Sequence, residues 1–159
     1  MELWKANEEI HDKMKALVKD NHPDLFIVQE EILVMFRERA GSRGGQKIYG
    51  RPLRAPAIGN AMAGEDYKFI LELGADTWEN DLTSRQREAL LDSLLTACRC
   101  EEDPKSGELK CHVAYPDIVG FRENIERYGY WMPLPEEVEE AGPPKENDAV
   151  ATIEEMFAE

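Results

Sequence analysis

Two sets of residues in this chain have types and spacing that could do chemistry. Cys98 and Cys100 sit two apart, and Cys111 and His112 follow as an adjacent pair after a turn region of ten residues. Thiolate and imidazole are zinc ligands, so a hairpin bringing the pairs together would make a Cys3His site for a structural zinc. Against this, Cys-x-Cys is a tight spacing, and adjacent strand residues point to opposite faces. The plainer expectation is that Cys98 and one other cysteine are small core residues. Use of the same residues as a nucleophilic pair lacks an evident orienting third group. The second set is basic. Arg37, Arg39, Arg43, Lys47, Arg51 and Arg54 are opposed only by Glu38, with glycines and prolines between them. Such a stretch could contact a nucleic-acid backbone or an acidic protein surface. Its plainer reading is a solvated hairpin whose edge charges deter aggregation.

The elements that must position these groups follow from periodicity. Leu3, Ile10, Met14, Leu17 and Val18 share a helical face, which predicts a helix over Leu3 to Asn21, ended by Pro23. The β-rich run Ile32 to Phe36 reads as a buried strand. Ala40 to Gly45 reads as a flexible loop, and Gln46 to Ile58, with Pro52 and Pro56, as an edge strand or irregular passage. Asn60 to Gly64 reads as a small-residue turn, and Tyr67 to Leu73 as a strand with Tyr67, Phe69, Leu71 and Leu73 on one side. Thr83 or Ser84 is an N-cap, and Gln86 completes a capping box with Thr83. The helix so begun runs to about Cys98, dense enough in apolar residues, Ala89 and Leu90 among them, to predict burial round most of its circumference. Glu101 to Gly107 reads as a hairpin turn. Ile118, Phe121, Ile125 and Tyr128 predict a last core helix, closed by Trp131. His22 reads as a helix-end residue and Trp78 as a core-capping aromatic; of Tyr128, Tyr130 and Trp131, at least one is expected in the core.

The blocks Gly59-Asn60-Ala61-Met62-Ala63-Gly64-Glu65-Asp66-Tyr67 and Leu82 to Asp92, then Phe121-Arg122 to Tyr130-Trp131, resemble in order and spacing the small metallopeptidases of phages and prophages. The resemblance spans about residues 10–133. It implies an α+β fold of zincin-like type: a small antiparallel or mixed sheet with an N-terminal helix, a buried central helix and a C-terminal helix. In that family the central helix continues as His-Glu-x-x-His. Two histidines one turn apart hold zinc, and the glutamate acts as general base on the zinc-bound water. Here Ser93 stands at the first histidine, Leu94 at the glutamate and Ala97 at the second histidine. The third-ligand position falls on Pro116, before Asp117. His11, His22 and His112 are the chain's three histidines, and no two lie four apart. No shift of register therefore restores the motif. The resemblance then implies an inactive homologue with no catalytic residue, no metal and no cofactor.

Composition narrows the function further. The chain has 159 residues and a net charge of −14, enough length for one core-bearing domain. No apolar run reaches the roughly 18 residues of a membrane span, and Met1 to Lys15 has no signal-type apolar region. Three cysteines, an odd number, argue against a disulfide framework and for the cytoplasm. Residues 136–159 carry nine acidic residues and one basic. The expected division is a domain over 1–133 and an acidic tail over 134–159, with a short helix over Ala149 to Phe157. Acidic charge repels nucleic acid and suits basic protein surfaces, including those that hold DNA. Glu136, Glu137, Glu139, Glu140, Glu154 and Glu155 are thus the candidate partner contacts. The expected partner is a host protein, a defence or nucleic-acid enzyme, bound by a DNA-mimicking surface; for the tail the plainer reading is solubility.

Overall fold

The structure, a computed structural model, describes residues 1–133. The chain divides into a unit of Met1–Ala114 and a second that begins at Tyr115. The first unit holds a four-stranded mixed sheet in the order β1 (Leu3–Lys5), β2 (Ile32–Arg37), β6 (Phe69–Gly74), β5 (Gly50–Arg54). β2 and β6 run parallel; β1 and β5 flank them antiparallel. Parallel central strands are apolar throughout because both faces are covered or half-covered, and Ile32, Leu33, Val34 and Phe36 are all buried. The strand predicted over 67–73 is β6, with Phe69, Leu71 and Leu73 on the core side.

Against the core face of the sheet pack α1 (Glu8–Asn21), α3 (Ala75–Asn80) and α4 (Ser84–Ala97). α1 supplies Met14, Leu17 and Val18, and α4 supplies Leu91, Leu94 and Leu95. Each such side chain contributes about 1.5–3 kcal/mol by leaving water. The burial of α4 is nonetheless one-sided: Ala89 is exposed and Leu90 half-buried, so the expected all-round burial does not hold. Density of apolar residues set that expectation, but three of them suffice to meet the sheet. An α+β architecture is the result.

Pro52 sits in β5 without cost. Ala55 N–H donates to Lys68 O, and Gly74 N–H to Tyr49 O, both at 3.0 Å. That parity turns the backbone groups of Gly50, Pro52 and Arg54 away from β6, so the N–H that proline lacks faces outward from the sheet edge. Residues 40–45 are not a loose loop. β3 (Gly41–Arg43) and β4 (Gln46–Ile48) form a hairpin closed by Gly44 and Gly45, with φ of 58° and 80°. Two positive φ values in a two-residue turn match strand twist, and glycine adopts them freely.

Other expectations are corrected. The first helix starts at Glu8, not Leu3, because Asn7 caps it, its side chain accepting Ile10 N–H at 3.1 Å, while residues 3–5 pair with β2. Residues 57–63 form helix α2 (Ala57–Ala63) rather than a turn, and α2 buries nothing. The last helix, α5 (Arg122–Tyr128), lies in the second unit and is shorter than predicted, with Ile125 its one buried residue and Ile118 before it. There Tyr130 OH donates to Asp117 O, and Trp131 Nε1 donates to Asn124 Oδ1, both at 2.7 Å. Among the described residues no helix is long and apolar enough to cross a membrane. The tail over 134–159 and its short helix lie outside the described residues.

Where β1 turns into α1, the β2 backbone loses its ladder partner. Ala6 N–H still reaches Val34 O, but Val34 N–H would be left alone in the core. His11 supplies the acceptor: its Nε2 takes Val34 N–H at 3.1 Å, and its Nδ1 lies 3.0 Å from Asn7 O. A backbone N–H can only donate, so the proton is on Nδ1 and goes to Asn7. His11→Phe should therefore cost about 1–3 kcal/mol in urea unfolding, the range for a stranded buried donor. A loss within error would show that Val34 finds another acceptor.

The corner after β6 rests on Asp76. Gly74 lets Ala40 approach, since a Cβ there would lie 2.5 Å from Ala40 Cβ. Asp76 Oδ1 accepts Ala40 N–H and Thr77 N–H, each at 2.8 Å. The Ala40 N–H, with help from Thr77 and the Lys47 charge, holds the carboxyl below its ordinary 3.8. A lowered folded-state value adds stability above the unfolded value, and that stability is lost as pH falls through the folded one. Asp76→Asn should accordingly be less stable than the parent at neutral pH, with the gap closing below about pH 3.8. A gap that persists unchanged in acid would assign the effect to geometry rather than charge.

Candidate functional site

The face of α4 that would carry metal chemistry is fixed by three anchors. At its start Thr83 Oγ1 accepts Gln86 N–H at 3.2 Å and Gln86 Oε1 accepts Thr83 N–H at 2.9 Å, the capping box legible in the sequence. One turn on, Arg87 donates from Nε to Trp78 O at 2.8 Å, its guanidinium 5.4 Å over the Trp78 ring. In the middle, Asp92 Oδ1 accepts from Asn21 Nδ2 at 2.9 Å and His22 Nε2 at 2.8 Å. A carboxylate oxygen only accepts, so His22 carries its proton on Nε2. Both donors belong to the C-terminal end of α1. Asp92 and His22 thus join two helices.

Those anchors set where the degenerate positions point. Leu94 is turned into the core at 5% exposure. Ser93 is exposed, Ala97 half-buried, and Thr96 spends its hydroxyl on Asp92 O at 2.8 Å. Pro116 lies exposed in the second unit. None of the four side chains at the degenerate positions is an imidazole, thiolate or carboxylate, and the neighbouring Asp92 is held by two donors. The residues present do not fit a zinc ion. Among the described residues no group of three or more His, Cys, Asp or Glu could hold a metal.

The plainer expectation holds for Cys98, which is a core residue, but the other two cysteines are bonded to each other. β7 (Cys98–Glu102) and β8 (Leu109–Val113) form the hairpin predicted around residues 101–107, in register Cys98 with Val113, Arg99 with His112, and Cys100 with Cys111. Cys100 and Cys111 are joined as a disulfide, their Cα atoms 4.1 Å apart. Period-two alternation puts Cys98, Cys100 and Cys111 on one face of the hairpin and His112 on the other. Cys98 is 1% exposed, and burial pushes its thiol up to about 12. The four residues are therefore not brought together, and the odd count conceals one bonded pair and one core thiol.

The basic stretch is partly spoken for. Arg51 Nε lies 3.0 Å from Glu72 Oε1, and Arg37 Nη1 lies 3.5 Å from the same oxygen. Lys47 binds Asp81 at 3.1 Å, a hydrogen bond that raises its pKa. Arg54 donates to Lys68 O at 2.8 Å. Arg39 and Arg43 are exposed, with no ion pair among the described residues. The acidic candidates Glu136, Glu137, Glu139, Glu140, Glu154 and Glu155 lie outside the described residues. Sequence reasoning missed a cavity of about 460 Å³ lined by Trp4, Ile10, Lys13, Phe36, Trp78 and Arg87. Its floor is the ring series Trp4, Phe36, Trp78, with centroids 5.9 and 5.8 Å apart. Nothing in local spacing signals it, because the three rings come from separate elements.

A family described as putative phage metallopeptidase matches residues 2–141. No curated protein and no solved structure matches the chain.

Alkylation under denaturing, non-reducing conditions should label one thiol per chain, Cys98, and three after reduction. Native protein should label none, since the free thiol is buried and undissociated near neutral pH. Three labelled thiols without reductant would show that the hairpin forms without its covalent bond.

Proposed function

The chain belongs to the phage metallopeptidase family, and from that premise we propose that it works without hydrolysis, as a phage-encoded protein that acts by binding another protein. The observation that carries the proposal is the state of α4. Its motif positions are occupied by Ser93, Leu94 and Ala97, and Leu94 is part of the core. Hydrolysis by the family's chemistry needs a metal-activated water and a base beside it, and these side chains supply neither. A fold retained without that chemistry is retained for its surface. The net charge of −14 and the acidic run over 136–159 favour a partner with a basic face. We read the partner as a host protein of defence or of nucleic-acid metabolism, inhibited in the host cytoplasm through a DNA-mimicking surface.

Untagged protein prepared without chelators should contain no stoichiometric zinc by elemental analysis. Added zinc should leave the thermal midpoint unchanged, whereas a metal at a hundred times its Kd would stabilise the fold by about 2.7 kcal/mol. Full-length protein should retain a specific host protein from bacterial lysate, and removal of residues 136–159 should release it. One zinc per chain would overturn the loss of the metal site, and no partner in either form would sink the inhibitor role.

A further inference from the structure

The sheet has a second face, and its chemistry differs from that of the chain as a whole. Residues opposite in register share a face, so Leu33, Met35, Ile70 and Leu53 stand together on the side away from the helices. All four lie outside the core cluster, which takes Ile32, Val34, Phe36, Phe69, Leu71 and Leu73 from these strands; Leu33 is buried at 8% exposure and the other three are half-buried. Helices α1, α3 and α4 bury their apolar residues in that cluster, and α2 buries none. Leu3 extends the patch at the β1 edge, 60% exposed.

The rim is basic. Lys5 pairs with Met35 in register, Arg37 ends β2, and Arg51 stands opposite Glu72. Glu72 is the one carboxylate of these strands on this face, and it is shared between two guanidinium groups. Among the described residues, Arg37 Nε, buried, has no acceptor. The face therefore keeps a positive surplus in a chain of net charge −14.

We propose that this face docks an acidic amphipathic helix of a partner protein. Helix on sheet is how an α+β layer covers an apolar face, and the complement of an apolar centre with a cationic rim is an apolar stripe flanked by carboxylates. A nucleic-acid backbone is the poorer fit. Its phosphates would find Leu33, Met35, Ile70 and Leu53 at the centre, and Glu72 already draws on two of the cations. The site is distinct from the acidic surface invoked above and does not depend on it, nor on the loss of hydrolysis.

The test uses full-length protein and a fluorescein-labelled peptide of about four helical turns, with leucines on one face and glutamates flanking them. Anisotropy should show saturable binding that weakens as salt rises. A matched peptide with lysine for glutamate, and a single-stranded oligonucleotide, should bind at least about tenfold more weakly. Lys5→Glu and, separately, Leu53→Asn should each weaken the acidic peptide about tenfold, with circular dichroism confirming the fold. Ile58→Ser, on the exposed α2, should leave binding unchanged. Absence of binding, equal binding of the lysine peptide, preference for the oligonucleotide, or indifference to both face variants would each overturn the proposal.

Discussion

One carboxylate decides how the central helix sits. Asp92 takes two hydrogen bonds from the end of α1, so α4 cannot rotate without breaking both. With Asp92 turned to α1, the residues Leu91, Leu94 and Leu95 must face the sheet. Position 94 is therefore a core position here. A glutamate there would be desolvated at 5% exposure, at a cost of several kcal/mol unless a partner compensated it. Leucine removes that cost and adds to the core. Leucine at this position therefore serves the packing, whereas an active site holds groups that the fold alone would reject.

The parts of this arrangement legible in the sequence are those written in short-range pattern. The capping box of Thr83 and Gln86, the apolar strands β2 and β6, and the edge placement of Pro52 all follow from residue type and local spacing. Strand β1 does not, because Leu3 and Trp4 fit a helical stripe equally well; what makes them a strand is β2, some thirty residues away. Helix α2 was hidden for a related reason. It has no buried face to leave a period, and it is placed by Asn60, which bonds Tyr67 through both ends of its amide at 2.8 and 3.3 Å. The disulfide was hidden by a count. An odd number of cysteines says nothing of register, and register alone puts Cys100 opposite Cys111.

Charge shows the same division between average and arrangement. The chain is acidic overall, yet residues 37–54 carry six cations, spread over the end of β2, the segment after it, the β3–β4 hairpin and β5. In sequence they look like one stretch with one purpose. In space they separate into Arg37 and Arg51 sharing Glu72, Lys47 on Asp81, Arg54 on a backbone oxygen, and Arg39 and Arg43 in solvent. Several of these stabilise the sheet's own surface, though exposed pairs contribute little, commonly under about 1 kcal/mol. What they leave is a local excess, which counts for recognition more than the global sum because salt screens distant charges beyond about 8–10 Å.

A fold is constrained wherever packing or buried polar groups demand particular residues, and freer to vary elsewhere. In this chain the constraints are visible: the Asp92 bridge, the His11 acceptor for Val34, the Asp76 corner. Each satisfies a buried or half-buried polar group that would otherwise oppose folding. The outer sheet face carries no such obligation. Its cations exceed the one carboxylate of its strands that could neutralise them. Apolar residues at the surface beside a charged rim, Leu3 among them at 60% exposure, have a cost in solubility, which is the physical reason to look for what covers them.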